Sequence, residues 1–342
     1  MESLRPLNKA NFADILDYGI FLFKRHFKKI FLLNLMLNTP FILLIAILNT
    51  MLSNNYQEFF SSQEMQADSL AMFSSVFSLY AKLFLFLAVY AIHALTLKNI
   101  FEGSVVKILY SDVVLEENRS IKQVVKECFG QFGPMLLGRA LYNLIQGAVF
   151  FVLYLIILAS AFIVTVAVFG VFTVSAVSPW ITVILAIIGV LAAIGVIFFV
   201  ALTISFFMGK YWMFLPSICI EHKKAGMSVE RCNNIGKNSF YLTGLTYLFS
   251  YMLVFMFPGI INSVTSLVVV ASGTMEITAV VIGSIITQLV SSILQPLIVC
   301  VLTALYITLR VKREGLDMEI DLWKIKKEDA SKAGRWTAEV HV

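Results

Sequence analysis

The chain has 342 residues, of which 59% are hydrophobic and 14% are charged, and its formal net charge is +5. An ordinary soluble domain is about half apolar and roughly a quarter charged, so a soluble fold could not cover this much apolar surface. The composition therefore excludes a soluble enzyme, a soluble nucleic-acid-binding domain and a disordered scaffold, and it predicts an all-α, polytopic membrane protein.

Six apolar stretches are long enough to cross a bilayer. A helix needs roughly 20 consecutive apolar residues to span about 30 Å of hydrocarbon. Helices are favoured because they satisfy their own backbone hydrogen bonds inside lipid. In chain order the predicted spans are residues 30–53, 80–97, 141–164, 180–207, 241–268 and 278–309.

The basic residues are concentrated in every second loop and at the two ends of the chain. All but one of the 26 lysines and arginines precede the first span, separate the second span from the third or the fourth from the fifth, or follow the sixth. Cytoplasmic loops carry an excess of Lys and Arg, so both termini are predicted to be cytoplasmic. The expected organisation is an amphipathic cytoplasmic segment at 1–29, a six-helix transmembrane domain at 30–309 with cytoplasmic loops 98–140 and 208–240, and a basic cytoplasmic tail at 310–342.

A cytoplasmic amphipathic segment precedes each pair of spans. The two most similar copies, 120–132 and 228–240, end on a phenylalanine directly before a span, and a looser copy covers 11–27. A glycine follows each hairpin in a polar segment, where we expect a turn: these are Gly103, Gly226 and Gly315. A unit that recurs in this way predicts three hairpin repeats.

The first amphipathic segment has apolar residues at helical spacing and basic residues on its other faces. Such a helix is expected on the inner leaflet near anionic headgroups, and the alternative is a docking surface for a partner protein. The candidate headgroup or partner contacts here and after the last span are Lys24, Arg25, Lys28, Lys29, Arg310, Lys312 and Arg313.

Both ends of the chain resemble a known family. Residues 4–33 contain Arg-Pro-Leu, Asp-Ile-Leu-Asp and a basic, aromatic entry to the first span, and residues 304–320 run from the last span into a basic stretch and Glu-Gly-Leu-Asp. With six spans, this is similar to the bacterial family named after the membrane domain of glycerophosphoryl diester phosphodiesterases. In that family the phosphodiesterase is a separate appended domain. The resemblance therefore implies a multi-pass component of the bacterial plasma membrane and not a hydrolase.

Signatures of catalysis are missing from the sequence. It contains no Gly-x-x-x-x-Gly-Lys phosphate loop, no His-Glu-x-x-His and no Gly-x-Ser-x-Gly. The four histidines are not paired at ligand spacing, and the four cysteines fit neither a zinc site nor a redox pair. We therefore predict no enzymatic activity and no catalytic, cofactor-binding or metal site.

Two ionisable residues, Lys82 and His93, lie inside a predicted span, where such residues are functional candidates. Their separation of eleven residues places them on one helix face, roughly 16 Å apart. One interpretation is structural, with Lys82 reaching the water at the membrane edge and His93 neutral and hydrogen-bonded. The alternative is a polar pathway lined by this face. Pro40, Pro258 and Pro296 are predicted to kink their spans.

The function predicted from these features is a non-enzymatic membrane scaffold or accessory subunit that binds anionic lipid or a membrane partner. The alternative is a transporter, or the membrane subunit of a transport complex, with a polar pathway near Lys82 and His93. Expected partners are membrane lipids, with another membrane subunit or a cytoplasmic ATPase as further candidates. No nucleic-acid partner is expected, because the basic residues are divided among four segments.

Overall fold

The computed structural model describes residues 5–45, 47–48, 51–52, 69–175, 179–272 and 277–323. Within these ranges the secondary structure is helical, without strands. The predicted outer loops fall partly in 53–68, 176–178 and 273–276. These residues, and the basic tail beyond Trp323, lie outside the described ranges.

Long helices alternate with short ones along the chain, after a 3-10 turn at Arg5–Lys9. The helices are α1 (Phe12–Leu37), α2 (Thr39–Ile45), α3 (Ser69–Leu95), α4 (Leu97–Val113), α5 (Ile121–Gly130), α6 (Phe132–Ser175), α7 (Pro179–Trp212), α8 (Phe214–Cys219), α9 (Ala225–Ile235), α10 (Phe240–Ser272), α11 (Ile277–Glu314) and α12 (316–323).

Five helical stretches are long and apolar enough to cross a membrane, and there is a sixth if α1 and α2 form one bent span. Those two helices meet at 50°, close to Pro40, which lacks a backbone N–H and disfavours helical geometry at the residue before it. Pro258 and Pro296 lie inside α10 and α11. The prediction of an all-α membrane protein with about this number of spans is confirmed.

Helix α11 lies at the centre of the bundle and packs on α1, α4 and α10. Between Leu297 and Leu309 its side chains are almost all buried. The approach of α1 is close, because a Cβ atom added at Gly19 would lie 2.6 Å from the Cα of Val301. Only glycine allows the two backbones to come this near without a shift.

The two segments expected as cytoplasmic loops, 98–140 and 208–240, are largely helical. Helix α4 is buried beside α11, and α8 is buried against α4. Helix α5 packs on α4, and α9 packs on α8. The turns predicted at Gly103 and Gly226 are wrong, because both glycines lie inside helices α4 and α9. Gly315 does end a helix, with a left-handed φ of 64°.

The predicted amphipathic segment 11–27 and the start of the first span form one continuous helix, α1. Its spacing of apolar residues is helical as expected. The inward face, which includes Ile15, Leu22 and Ile30, is fully buried by neighbouring helices. That part of the apolar surface is covered by protein, because α11 packs along the same face of α1.

Candidate functional site

Four of the seven basic residues predicted to contact headgroups or partners bind other parts of the protein. The Arg25 guanidinium lies 3.1 Å from the Asp112 carboxylate, and Lys312 donates to the Ala10 carbonyl over 2.8 Å. Lys29 donates to the Asn118 side chain, and Arg310 to the Glu314 carboxylate at 3.0 Å. The side chains of Lys24, Lys28 and Arg313 are exposed.

His93, on α3, is buried in a chain of polar side chains. The Oδ1 atom of Asn38 accepts from His93 Nε2 over 3.2 Å, since the Asn38 amide nitrogen donates to Asn34 Oδ1 at 2.9 Å. Asn34 in turn donates to the Ser292 carbonyl oxygen at 2.8 Å. The chain therefore connects α3 to α11 through α1. Lys82 lies earlier on α3, is half-buried and does not line the cavity described below.

A cluster of charges lies at the junction of α3, α4 and α6. The Arg139 guanidinium donates to the Glu102 carboxylate, and its Nη2 lies 3.4 Å from Asn99 Oδ1. Lys98 Nζ approaches the other Glu102 oxygen at 4.0 Å. Arg139 and Glu102 are only 7% and 6% exposed. Two cations therefore share one carboxylate in a largely dehydrated place.

The Arg139 guanidinium is held in a fixed position. Its central carbon lies 5.5 Å from the ring centroid of Phe214 and 5.8 Å from that of Tyr142. Its Nε atom is buried and has no hydrogen-bond partner in the described residues. A buried donor without a partner is costly, and this donor belongs to a permanently charged group.

The charged cluster opens into a cavity with two adjoining lobes between α3, α6, α10 and α11. The first, which we call the cation lobe, has a volume of about 410 Å³ and is lined by Lys98, Glu102 and Arg139. The second, the deep lobe, has about 360 Å³ and includes His93. The two lobes share five lining residues: Tyr90, Ala94, Lys98, Phe255 and Gln295.

Neutral polar side chains line the cavity along α6 and α11. On α6, Asn143 and Gln146 continue the face of Arg139 at i+4 and i+7, so one helical stripe faces the cavity. On α11, Gln288 and Gln295 lie seven residues apart on one face, in the deep lobe. Such residues can donate to or accept from a ligand, and they fix its orientation in an otherwise apolar bundle.

A second charged network surrounds Glu221, which lies outside the candidate spans between α8 and α9. Arg231 Nε lies 2.9 Å from this carboxylate, and the Tyr306 hydroxyl of α11 donates to it. Burial alone would raise the pKa of Glu221, but hydrogen bonds from Arg231 and Tyr306 outweigh burial and hold the pKa below its ordinary value. Burial works to lower the pKa of Arg231, yet its bonds to Glu221 and Glu314 raise it.

Lys98, Glu102 and Arg139 were not predicted as site residues, because hydropathy placed them in a loop. A usable signal was present. Lys98 and Glu102 are spaced i and i+4, and Arg139 begins the polar stripe on α6. Among the described residues, no group of three or more His, Cys, Asp or Glu side chains is arranged to hold a metal ion.

Comparison of the chain with protein-family models, with curated proteins and with solved structures gave no match. The cavity and its charges therefore provide the main argument for function.

Proposed function

We propose that this chain is an integral membrane protein that admits an anionic ligand to the cavity between its helices, as a transporter or as the membrane subunit of a transport complex. The observation that carries the proposal is the buried guanidinium of Arg139, which lines the cation lobe, and whose Nε has no hydrogen-bond partner among the described residues. No enzymatic reaction is part of the proposal.

The charge of the cavity favours an anion over a cation or a neutral solute. Among the described residues that line the two lobes, Lys98 and Arg139 face a single carboxylate, that of Glu102. An uncompensated positive charge in a low-dielectric site is costly, and a bound anion would offset that cost. A positively charged cleft with apolar walls also raises the local concentration of anions.

The basic surface supports a second and compatible role as a scaffold or accessory subunit. Lys24 and Lys28 are exposed on α1, and Arg313 is exposed at the end of α11. Exposed basic groups near the membrane surface attract anionic headgroups, each by about 1 kcal/mol. Membrane lipids are the proposed partners on this surface, with a membrane subunit or a cytoplasmic ATPase as further candidates.

The proposed setting is the bacterial plasma membrane with both termini in the cytoplasm, which the distribution of lysine and arginine supports. We also propose the three hairpin repeats and membership of the family that the two terminal motifs resemble. The repeat is supported by α5 and α9, short helices that each precede a long helix beginning at a phenylalanine, Phe132 or Phe240.

If the cavity admits anions, the charge of a thiol reagent should determine how fast it reacts with a cysteine inside the cavity. Gln146→Cys places a reactive group in the cation lobe, whereas the native cysteines are buried. The purified variant should react with an anionic methanethiosulfonate faster than with a cationic one, by at least about tenfold relative to an exposed reference site. The measurement is the ratio of the two modification rates.

Met227→Cys provides the reference ratio, because Met227 is exposed on α9 and does not line the cavity. Ile156→Cys, on the exposed face of α6, serves as a control for lipid-facing positions and should stay slow with both reagents. Adding Lys98→Gln to the Gln146→Cys variant should reduce the anion preference. Equal ratios at Gln146→Cys and Met227→Cys would refute an anion-accepting cavity.

A further inference from the structure

The cavity has an opening toward the side of the bundle. Tyr90 and Phe255 belong to both lobes, yet 51% and 53% of their surfaces are exposed, and Asn143 of the cation lobe is exposed as well. These residues lie on α3, α10 and α6, within stretches apolar enough to cross a membrane. The opening between these helices therefore faces the lipid.

Helix α3 forms a weakly attached wall of this opening. It packs mainly on α4, which follows it in the chain, and only weakly on α6. Its outer face carries exposed aromatic residues such as Phe77 and Phe84. Among the α3 residues whose side chains the structure describes, only His93 is buried. A molecule already dissolved in the bilayer would reach the cavity by this lateral path.

The cavity changes from polar to apolar along the helix axes. The surface of the cation lobe is mainly polar, and that of the deep lobe is mainly apolar. Pro258 of the deep lobe lies seven residues beyond Tyr251 of the cation lobe on α10, or about 10 Å along the axis. The deep lobe also receives Phe86, Ile42 and Ile45. The cation lobe thus leads to a lobe whose surface is mainly apolar, although His93, Gln288 and Ser292 also line it.

We infer that the ligand is an anionic phospholipid, with its phosphate at Arg139 and Lys98 and its acyl chains along the deep lobe. This inference rests on the proposed function, since it names the ligand class for the same cavity. The guanidinium and ammonium groups recognise phosphate oxygens. Gln295, shared by both lobes, lies at the level where ester carbonyls would accept hydrogen bonds. The two lobes, of about 410 and 360 Å³, are larger than a small inorganic anion requires.

The same phosphate chemistry is available from a soluble ion, so the test compares the two sources. Purified full-length protein in mild detergent is incubated with dioleoyl phosphatidate, dioleoyl phosphatidylcholine or inorganic phosphate. Native mass spectrometry then measures the fraction of protein that carries each probe. We expect one phosphatidate molecule to bind per protein. We also expect the protein to prefer phosphatidate over phosphatidylcholine by at least about tenfold.

Two variants separate the ends of the ligand, and Lys122→Gln is the control, because this exposed cation of α5 lies outside the cavity. Lys98→Gln should lower phosphatidate retention by about tenfold through the loss of one phosphate contact. Ser291→Phe should do the same by filling the deep lobe. Lys98 is only partly buried and Ser291 leaves the charge cluster intact, so both variants are chosen to fold.

The outcomes distinguish this inference from the proposed function. Loss of phosphatidate in both cavity variants but not in Lys122→Gln would support it. If inorganic phosphate bound to the protein and Ser291→Phe changed nothing, the ligand would be a soluble anion: the lipid inference would fail and the anion cavity would remain. If phosphatidate retention were equal in all variants, the lipid would be merely annular and the inference would be overturned. The reactivity ratio at Gln146→Cys decides the cavity itself independently.

Discussion

Glu102 has two opposing effects on the cavity. Its carboxylate accepts from Arg139 and approaches Lys98, so it neutralises part of the positive charge that would otherwise attract a ligand. It also stabilises a guanidinium that is 93% buried by removing the cost of an isolated charge. An anionic ligand and Glu102 therefore compete for the same two cations.

Glu102→Gln should separate these effects. The cavity loses its carboxylate and becomes more positive by one unit of charge, so the anion preference of the Gln146→Cys site should increase by a few fold. The protein should lose about 3–5 kcal/mol of stability, because one partner of a buried ion pair is removed. Thermal unfolding in detergent and the thiol modification ratio measure the two changes. Glu230→Gln, exposed on α9, is the matched control, and an unchanged anion preference would contradict the competition.

For individual residues, the sequence could indicate candidates for a site but not the side chains that they contact. His93 could be recognised because it lies inside an apolar stretch. For Arg139 the polar stripe on α6 was a signal, but its burial could not be predicted. A charge near the end of a span usually reaches water, and only packing against Phe214 and Glu102 buries this one. Asn34 and Asn38 gave no sign that they would join His93 to Ser292 across three helices.

Among the helices, the ends of α9 and α11 are tied together through Glu221. Arg231 of α9 binds both Glu221 and Glu314, and Tyr306 of α11 donates to Glu221. The pKa of Glu221 in the folded protein lies below its ordinary value near 4.5. A carboxylate with a depressed pKa stabilises the fold above the unfolded-state pKa, and the stabilisation disappears as the pH falls through the folded-state pKa.

The melting temperature of the protein should therefore fall as the pH is lowered from 7 to below 4.5. In Glu221→Gln, the melting temperature at pH 7 should be lower than in the unmodified chain, and its further decrease in acid should be smaller. Differential scanning fluorimetry in detergent across this pH range provides the measurement. Glu230→Gln should retain the behaviour of the unmodified chain, and parallel pH curves for Glu221→Gln and the unmodified chain would show that this tie contributes nothing.

The positions of the long helices were predictable from apolar length, but the ends of the helices were not. Helix α4 carries Lys98, Glu102 and Lys107, and its charge content is typical of a solvated loop. It is buried because α11 and α8 cover it and because each of these charges has a partner. Pairing across helices cannot be inferred from one segment alone.

For the molecule as a whole, charge is concentrated at one end of the bundle. A packed, ion-paired layer lies at that end. It consists of α4, α5, α8, α9 and the last turns of α11. The opposite halves of α6 and α7 expose apolar side chains such as Tyr154 and Ile188. The segregation of basic residues was readable from the sequence, whereas their mutual pairing required the fold.

This asymmetry predicts the orientation of the molecule in the membrane. Lysine and arginine are retained on the cytoplasmic side, so the layer that contains α9 should face the cytoplasm and the start of α7 should face outward. Met227→Cys on α9 and Trp180→Cys on α7 are both exposed, and the native cysteines are buried. In intact cells a membrane-impermeant maleimide should label Trp180→Cys, and it should label Met227→Cys only after permeabilisation. The reverse pattern would place the charged layer outside the cell. Lys24 and Lys28 would then not lie near the anionic inner leaflet.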